Sequence, residues 1–295
     1  MTRLSPKTGV LYDENAYGPL YDLFLLLGDS ITQQASSQER GFGFAAALQD
    51  AYIRKLDVVN RGLSGYNTDM AIKVLLRCIP AVTEARMRLM TVFFGANDSC
   101  WPTSYLNQSV PLPRYLENLT HLMTHAKVKA HNARIILITP PPINEYMQWV
   151  VDQAKGYNQP RRTAERTKEY AEATRELGEK LGVPVVDMWT VIMLKAGWEL
   201  GSSVLPGSRK FGPNPVLEEL LHDGLHLSPS GYRILYDEVL QVIRKNWPDQ
   251  LPEHLTNVLP NWDNPDWHHG DGSFESATGA SNGQSSGPGH KVFHT

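Results

Sequence analysis

Short, nearly continuous apolar runs alternate along the chain with longer stretches in which apolar residues recur at helical spacing. The runs lie at residues 23–27, 58–59, 89–94, 135–138 and 183–186, and each is closed on its C-terminal side by turn-forming or polar residues. Several are rich in β-branched residues, and runs of this length suit strands buried on both faces. Amphipathic stretches at 44–52, 69–78, 114–131, 163–181 and 230–246 predict helices. Boundary signals accompany three of them. Asn67 or Thr68 is placed to cap the second, Gly182 stands where a left-handed glycine would end the fourth, and Ser228-Pro229 supplies a cap and a first-turn proline for the fifth. Strands alternating with helices predict a doubly wound parallel sheet, in which reactive residues gather in the loops at the carboxyl ends of the strands.

Composition narrows the picture without redirecting it. The chain has 295 residues, 41% of them apolar, enough for a sizeable core in one large domain or two small ones. Its 28 basic and 31 acidic residues leave a net charge of -3. That balance lacks the basic excess of a protein that grips nucleic-acid phosphates, so no nucleic-acid partner is expected. Two cysteines, Cys78 and Cys100, are too few for a disulfide framework and favour a reducing compartment. The first 22 residues scatter charge, proline and glycine and hold no apolar signal core. The early run at 23–27 is far short of the ~20 residues that span a bilayer. A soluble cytoplasmic protein without a membrane span is the expectation. Between residues 270 and 289, six glycines and five serines predict a disordered tail.

Three strand ends and one late loop carry the residues fit for chemistry. The first run ends in Gly28-Asp29-Ser30-Ile31-Thr32. A serine where a buried strand becomes a loop is rigidly held beside free backbone amides, although Gly-Asp-Ser is also a common turn. The second run leads into Asn60-Arg61-Gly62-Leu63-Ser64-Gly65-Tyr66-Asn67-Thr68, whose glycines let backbone approach a ligand. For Gly62 a tight strand-to-helix turn is the preferred reading. The third run ends in Phe93-Phe94-Gly95-Ala96-Asn97-Asp98, where an asparagine amide can donate to a developing oxyanion or merely close an Asx-turn. Far downstream, Asp223-Gly224-Leu225-His226 precedes the last helix. A carboxylate three residues from a histidine can fix its tautomer and support it as a general base.

Each block alone is weak; the four together, in this order and at these sheet positions, resemble the SGNH hydrolases, also called GDSL esterases and lipases. The resemblance covers roughly residues 23 to 247. Asp57-Val58-Val59-Asn60-Arg61-Gly62, Pro140-Pro141-Pro142, Val185-Val186-Asp187-Met188-Trp189 and Asp223-Gly224-Leu225-His226-Leu227-Ser228 look more narrowly like the isoamyl acetate-hydrolysing esterase branch. The resemblance implies a three-layer α/β/α fold with a five-stranded parallel, flavodoxin-like sheet. It also implies Ser30 as nucleophile, His226 as base and Asp223 as orienting acid, with an oxyanion hole of the Ser30 and Gly65 backbone amides and the Asn97 side chain. Ile31 stands where many members have leucine, a conservative departure. A serine esterase of this kind needs neither metal nor cofactor. The implied substrate is a small ester, with acetate esters of medium-chain alcohols first. Carbohydrate deacetylase, lysophospholipase and thioesterase activities use the same constellation, and a non-catalytic binding protein on the same fold is the alternative from another class.

The division expected from these readings is an N-terminal arm at 1–21, a hydrolase domain at 22–247, an extension at 248–269 and the tail at 270–295. Weaker features have plainer readings. Asp29 and Asp98 hold loops, His222 is a loop residue, and Asp187 is a second contender for the acid. His121 and His125, with His131 nearby, form a solvated helix face, and Cys100 is a bystander thiol. Gly41-Phe42-Gly43-Phe44 starts a helix. Residues 144–160, with 101–106 and 198–211, read equally as walls of a substrate pocket or as an outer packing face or homodimer contact.

Overall fold

The computed structural model describes residues 21–102, 107–259 and 261–263, together with the backbone of 3–4 and 11–12. The Gly/Ser-rich run at 270–289 and residues 103–106 lie outside the described residues. The chain divides into two units, Asn15–Leu259 and Met1–Glu14 with Pro260–Thr295. In the smaller unit, Arg3–Leu4 pairs antiparallel with Leu11–Tyr12.

The larger unit is built on five parallel strands: β1 (Leu23–Gly28), β2 (Asp57–Gly62), β3 (Met87–Phe93), β4 (Arg134–Ile138) and β5 (Val185–Val186), in the spatial order 2-1-3-4-5. This is the flavodoxin-like order, in which the chain reverses direction across the sheet between β1 and β3. Side-chain alternation sorts the two faces. Phe24, Leu26, Leu89, Phe93, Ile136 and Ile138 enter one core, whereas Leu25, Leu27, Met90, Val92 and Leu137 enter the other. The first core is closed by α2 (Phe44–Ala51), α8 (Met188–Lys195), α9 (Pro215–Leu220) and α10 (Pro229–Asn246). The second is closed by α3 (Thr68–Cys78), α4 (Leu112–Thr124) and α7 (Ala164–Leu181). The result is three layers, as the sequence predicts. Among the described residues no helix is long and apolar enough to cross a membrane.

The capping signals act as read. Asn67 accepts from the Met70 amide at the start of α3, Ser228 accepts from Gly231 at the start of α10, Gly43 caps α2, and Gly182 closes α7 in the left-handed region. The Gly182 cap also shortens the last strand. The Val183 amide turns back to Gly178 O at 2.9 Å, and Pro184 has no N–H to give, so pairing starts at Val185 instead of residue 183.

Four further differences have local causes. The helix expected over 114–131 breaks at His125, whose ψ of 140° ends α4 while its side chain caps α5 (Ala126–Lys129). Helix α8 carries only Thr190 and Lys195 among its apolar residues, on different sides, and so shows no periodicity. Helix α1 (Ser30–Gln34) is only five residues long and depends on its Asp29 cap. Gly62 is no turn. It is the last residue of β2, and a Cβ there would lie 2.0 Å from Gln33 N, so glycine is required because the backbone of α1 presses on the strand.

After α10 the chain stays on the core. Turns at Pro248–Gln250 and Pro252–His254 bring Leu251 into the first apolar cluster, and Gln250 O accepts from Tyr52 Oη at 2.9 Å.

Candidate active site

Strand register brings the three strand-end blocks together. Gly28 of β1 is level with Gly62 of β2 and with Phe93 of β3, so the residues after each strand leave the sheet side by side. Asp29 caps α1 by accepting the Ile31 amide at 2.9 Å, which fixes Ser30 as the first helical residue. Leu63 then donates to Gly28 O at 2.9 Å and Ser64 to Gln33 Oε1 at 2.8 Å, tying the second block to the first. Asn97 Nδ2 donates to Tyr66 O at 2.9 Å and ties the third block to the second.

The late loop reaches this cluster from the other end of the chain. Leu221 and Leu227 form an antiparallel bridge, and Ser228 N donates to Leu220 O at 2.9 Å, so residues 221–228 make a closed loop. Its tip is held by Asn144, whose amide donates to Gly224 O at 2.8 Å just before helix α6 (Glu145–Ala154). Within the loop, Asp223 Oδ1 accepts the amides of Leu225 and His226 at 3.0 and 2.8 Å. Asp223 Oδ2 is left to face His226 Nδ1 at 2.6 Å, and His226 Nε2 lies 2.9 Å from Ser30 Oγ. With its proton on Nδ1, the His226 ring donates to the carboxylate and leaves Nε2 free to accept from the serine hydroxyl.

Burial works to raise the Asp223 pKa, but the hydrogen bond and charge of His226 and the two loop amides overcome it and hold the carboxyl well below its usual range. Asp223 is therefore a carboxylate wherever a histidine can serve as a base.

Gly65 has φ of +81°, a conformation that favours glycine, and its carbonyl accepts from Gln108 Nε2 at 2.6 Å. Among the described residues no backbone acceptor takes the Gly65 amide. The Ser30 amide is likewise one of the helix-start donors that have no intrahelical acceptor. Together with Asn97 Nδ2, these are the three donors expected from the sequence.

Two arginines that the sequence reading passed over stand behind them. Arg162, 4% exposed, donates from Nη2 to Asn97 Oδ1 at 2.9 Å and from Nε to Ala96 O at 2.7 Å. Arg161 donates from Nη2 to Gln108 Oε1, so it backs the side chain that holds Gly65. Two adjacent arginines just before the N-terminus of α7 oppose its macrodipole, and that conflict is the local sign that they serve something other than the helix.

The plainer residues also find their places. Asp187 caps α8 through the Thr190 amide and pairs with Arg175 at 2.6 Å, so it is committed elsewhere. His131 is buried, not solvated: Nδ1 accepts from the Met87 amide at 3.0 Å. His121 and His125 do lie ring to ring, 5.2 Å apart. Cys100 is buried. His222 is more than a loop residue in passing. Its ring lies 5.6 Å from that of His226, its Nδ1 is 3.1 Å from His226 O, and its Nε2 is 3.8 Å from Asp223 Oδ2.

Asp98 accepts the Thr68 amide and hydroxyl on Oδ1, at 2.9 and 2.5 Å, as a loop-holding residue should. Burial raises its pKa to about 7 against 3.8 for a free carboxyl, and burial likewise lifts Asp29 to about 6. Between pH 4 and 7 the folded state thus holds a proton on Asp98 that the unfolded state has released, so stability falls as pH rises through that window. The Asp98→Asn variant keeps an acceptor for Thr68 and removes the charge. Its melting temperature should exceed that of the parent at pH 8, and thermal melts at pH 4 should show the advantage gone.

Comparison with known proteins gives a consistent result. The family model described as "GDSL-like Lipase/Acylhydrolase family" matches residues 26–234. A GDSL esterase/lipase of Arabidopsis thaliana is 35% identical over 236 residues, covering 77% of this chain and 88% of that protein. The isoamyl acetate-hydrolyzing esterase of Saccharomyces cerevisiae is 31% identical over 252 residues, covering 82% and 94%. A lipase/acylhydrolase from Enterococcus faecalis superposes with a TM-score of 0.54 at 22% identity, covering 81% of this chain and all of the other, which speaks to the fold.

Proposed function

The chain belongs to the GDSL-like lipase/acylhydrolase family and is a carboxylic-ester hydrolase, and from that premise we propose that Ser30, His226 and Asp223 hydrolyse short, uncharged esters, acetate esters of medium-chain alcohols first. The observation that carries the site assignment is the unbroken hydrogen-bonded chain from Ser30 Oγ through His226 to Asp223, at 2.9 and 2.6 Å. Ser30 Oγ attacks the ester carbonyl as its proton passes to His226 Nε2. The oxyanion of the tetrahedral intermediate is met by the Ser30 and Gly65 amides and the Asn97 amide group. His226 then gives the proton to the departing alkoxide, which leaves as the alcohol. Water, deprotonated by the same ring, releases the acid from the acyl-enzyme.

The acetate preference is supported by the similarity to the yeast isoamyl acetate-hydrolyzing esterase along 82% of this chain. The net charge of -3 across 295 residues suits an uncharged substrate without selecting one. A panel of esters graded in acyl and alcohol length tests it. The highest kcat/KM should fall on acetates of four- to six-carbon alcohols, by order of magnitude over long-chain acyl esters. A preference for long acyl chains, thioesters or acetylated sugars would replace this substrate with one of those classes.

Asn97 and Arg162 give a sharper test of the oxyanion hole. Asn97→Ala should lower kcat by about 10²–10³-fold with KM little changed. Arg162 holds the far end of that amide, so Arg162→Gln should lower kcat in the parent and have little further effect in the Asn97→Ala background. Additive losses in the double-mutant cycle would mean that Arg162 acts on the fold and not through Asn97.

A further inference from the structure

We propose that His222, Asp223 and His226 form a reversible site for a borderline divalent transition-metal ion of the Zn2+ type, whose occupancy switches the esterase off. The consequence for catalysis rests on the assignment of His226 as base; the binding itself does not. Two imidazoles and a carboxylate are a donor set suited to such an ion, with solvent completing the coordination. Among the described residues this is the single group of three candidate ligands whose donor atoms all lie within 4.8 Å of one another.

The local hydrogen bonds favour a cation at this place. His222 is oriented by the contact of its Nδ1 with His226 O at 3.1 Å. When Nδ1–H donates there, Nε2 carries a lone pair and faces Asp223 Oδ2, also an acceptor, across 3.8 Å. Two acceptors facing each other leave a gap that a cation fills. An imidazole whose other N–H is given to a backbone carbonyl is also the usual state of a metal-binding histidine. A tetrahedral ion with bonds of 2.0–2.1 Å spaces its ligand atoms roughly 3.3 Å apart. The 3.8 Å pair must close a little and the 2.6 Å contact between His226 Nδ1 and Asp223 Oδ2 must open. The side chains of His222, Asp223 and His226 are 19%, 25% and 17% exposed, so an ion can reach them from solution.

Occupancy stops catalysis by moving a proton. When Nδ1 of His226 binds the metal, the ring proton leaves Nδ1 and a neutral imidazole carries it on Nε2. Nε2 then points an N–H at Ser30 Oγ and cannot accept the serine proton. The Asp223 carboxylate, drawn to the metal, no longer orients the ring. The nucleophile is silenced with no contact between the ion and Ser30.

The test uses the full-length, metal-free protein with buffered free Zn2+ and a chromogenic acetate ester. Activity should fall on addition of Zn2+ and return with EDTA. His222→Gln should keep its esterase activity but need at least about tenfold more Zn2+ for half-inhibition, since even an outer-shell partner is worth that much in metal affinity. Co2+ added to the Ser30→Ala protein should give a one-to-one visible absorption spectrum of low-symmetry Co2+, displaced by Zn2+ and lost in His222→Gln. This readout needs no turnover. A Co2+ spectrum with no Zn2+ inhibition would overturn the switch, since the ion would then bind without displacing the proton from His226 Nδ1. Parent-like turnover by His226→Ala would instead overturn the assignment of the base. Zn2+ inhibition unchanged in His222→Gln, or no stoichiometric Co2+ spectrum, would overturn the proposal.

Discussion

Replacement of Ser30 by alanine is expected to lower kcat on a chromogenic acetate ester by about 10⁶-fold, the scale of losing a nucleophile that acts as one unit with its base. The change removes a single atom, Oγ, from a residue that is 6% exposed at the start of α1. The cap on Asp29 Oδ1 comes from the Ile31 amide and does not involve that atom, so the helix start should survive. The fold should survive with it, and a thermal melt close to that of the parent would show that the loss is chemical. A fluorophosphonate probe should label the parent at Ser30 and leave the variant unlabelled. Parent-like turnover by a folded Ser30→Ala protein would remove Ser30 from the mechanism.

Asp223→Asn should come next in size, at about 10⁴-fold in kcat. The loop itself dictates the reason. Leu225 and His226 both donate their amides to Oδ1, so an asparagine must place its carbonyl there. Its NH2 group then occupies the position of Oδ2, 2.6 Å from His226 Nδ1, and presents a donor to a nitrogen that was itself a donor. The ring answers by carrying its proton on Nε2, toward Ser30, where a base is required to be empty. Geometry and stability should change little while the reaction stops. A variant within tenfold of the parent would transfer the role of acid to another carboxylate. Asp187, the other contender, is tied to Arg175 and the cap of α8.

Strands β1 and β3 were legible because they are buried almost throughout and therefore appear as apolar runs, whereas the edge strand β2, with no buried residue, showed only Val58 and Val59. Caps such as Asn67, Gly182 and Ser228 were legible because they act through neighbours within a few residues. Elements that depend on tertiary contacts were not. Helix α1 is too short to show a period, α8 has no polar face, and the role of Gly62 lies in the close approach of Gln33. The same division runs through the site. Ser30, Gly65, Asn97, Asp223 and His226 stand in motifs whose chemistry can be read locally. Arg162 reaches Asn97 across 65 positions, and Gln108 reaches Gly65 across 43; the misplaced charge before α7 marks the arginine as unusual, but nothing local names either partner. Asn144 likewise supports the His226 loop from 80 positions away, which gives the segment at 144–160 a scaffolding duty that neither of its sequence readings contained.

The bond between Ser30 and His226 spans 196 positions in the chain. During synthesis the serine is made early and waits for its base until almost the whole domain has left the ribosome. If Ser30 and His226 act together as proposed, activity requires the late loop to be closed against Asn144, and a loosening of the end of the domain should abolish turnover before the central strands give way.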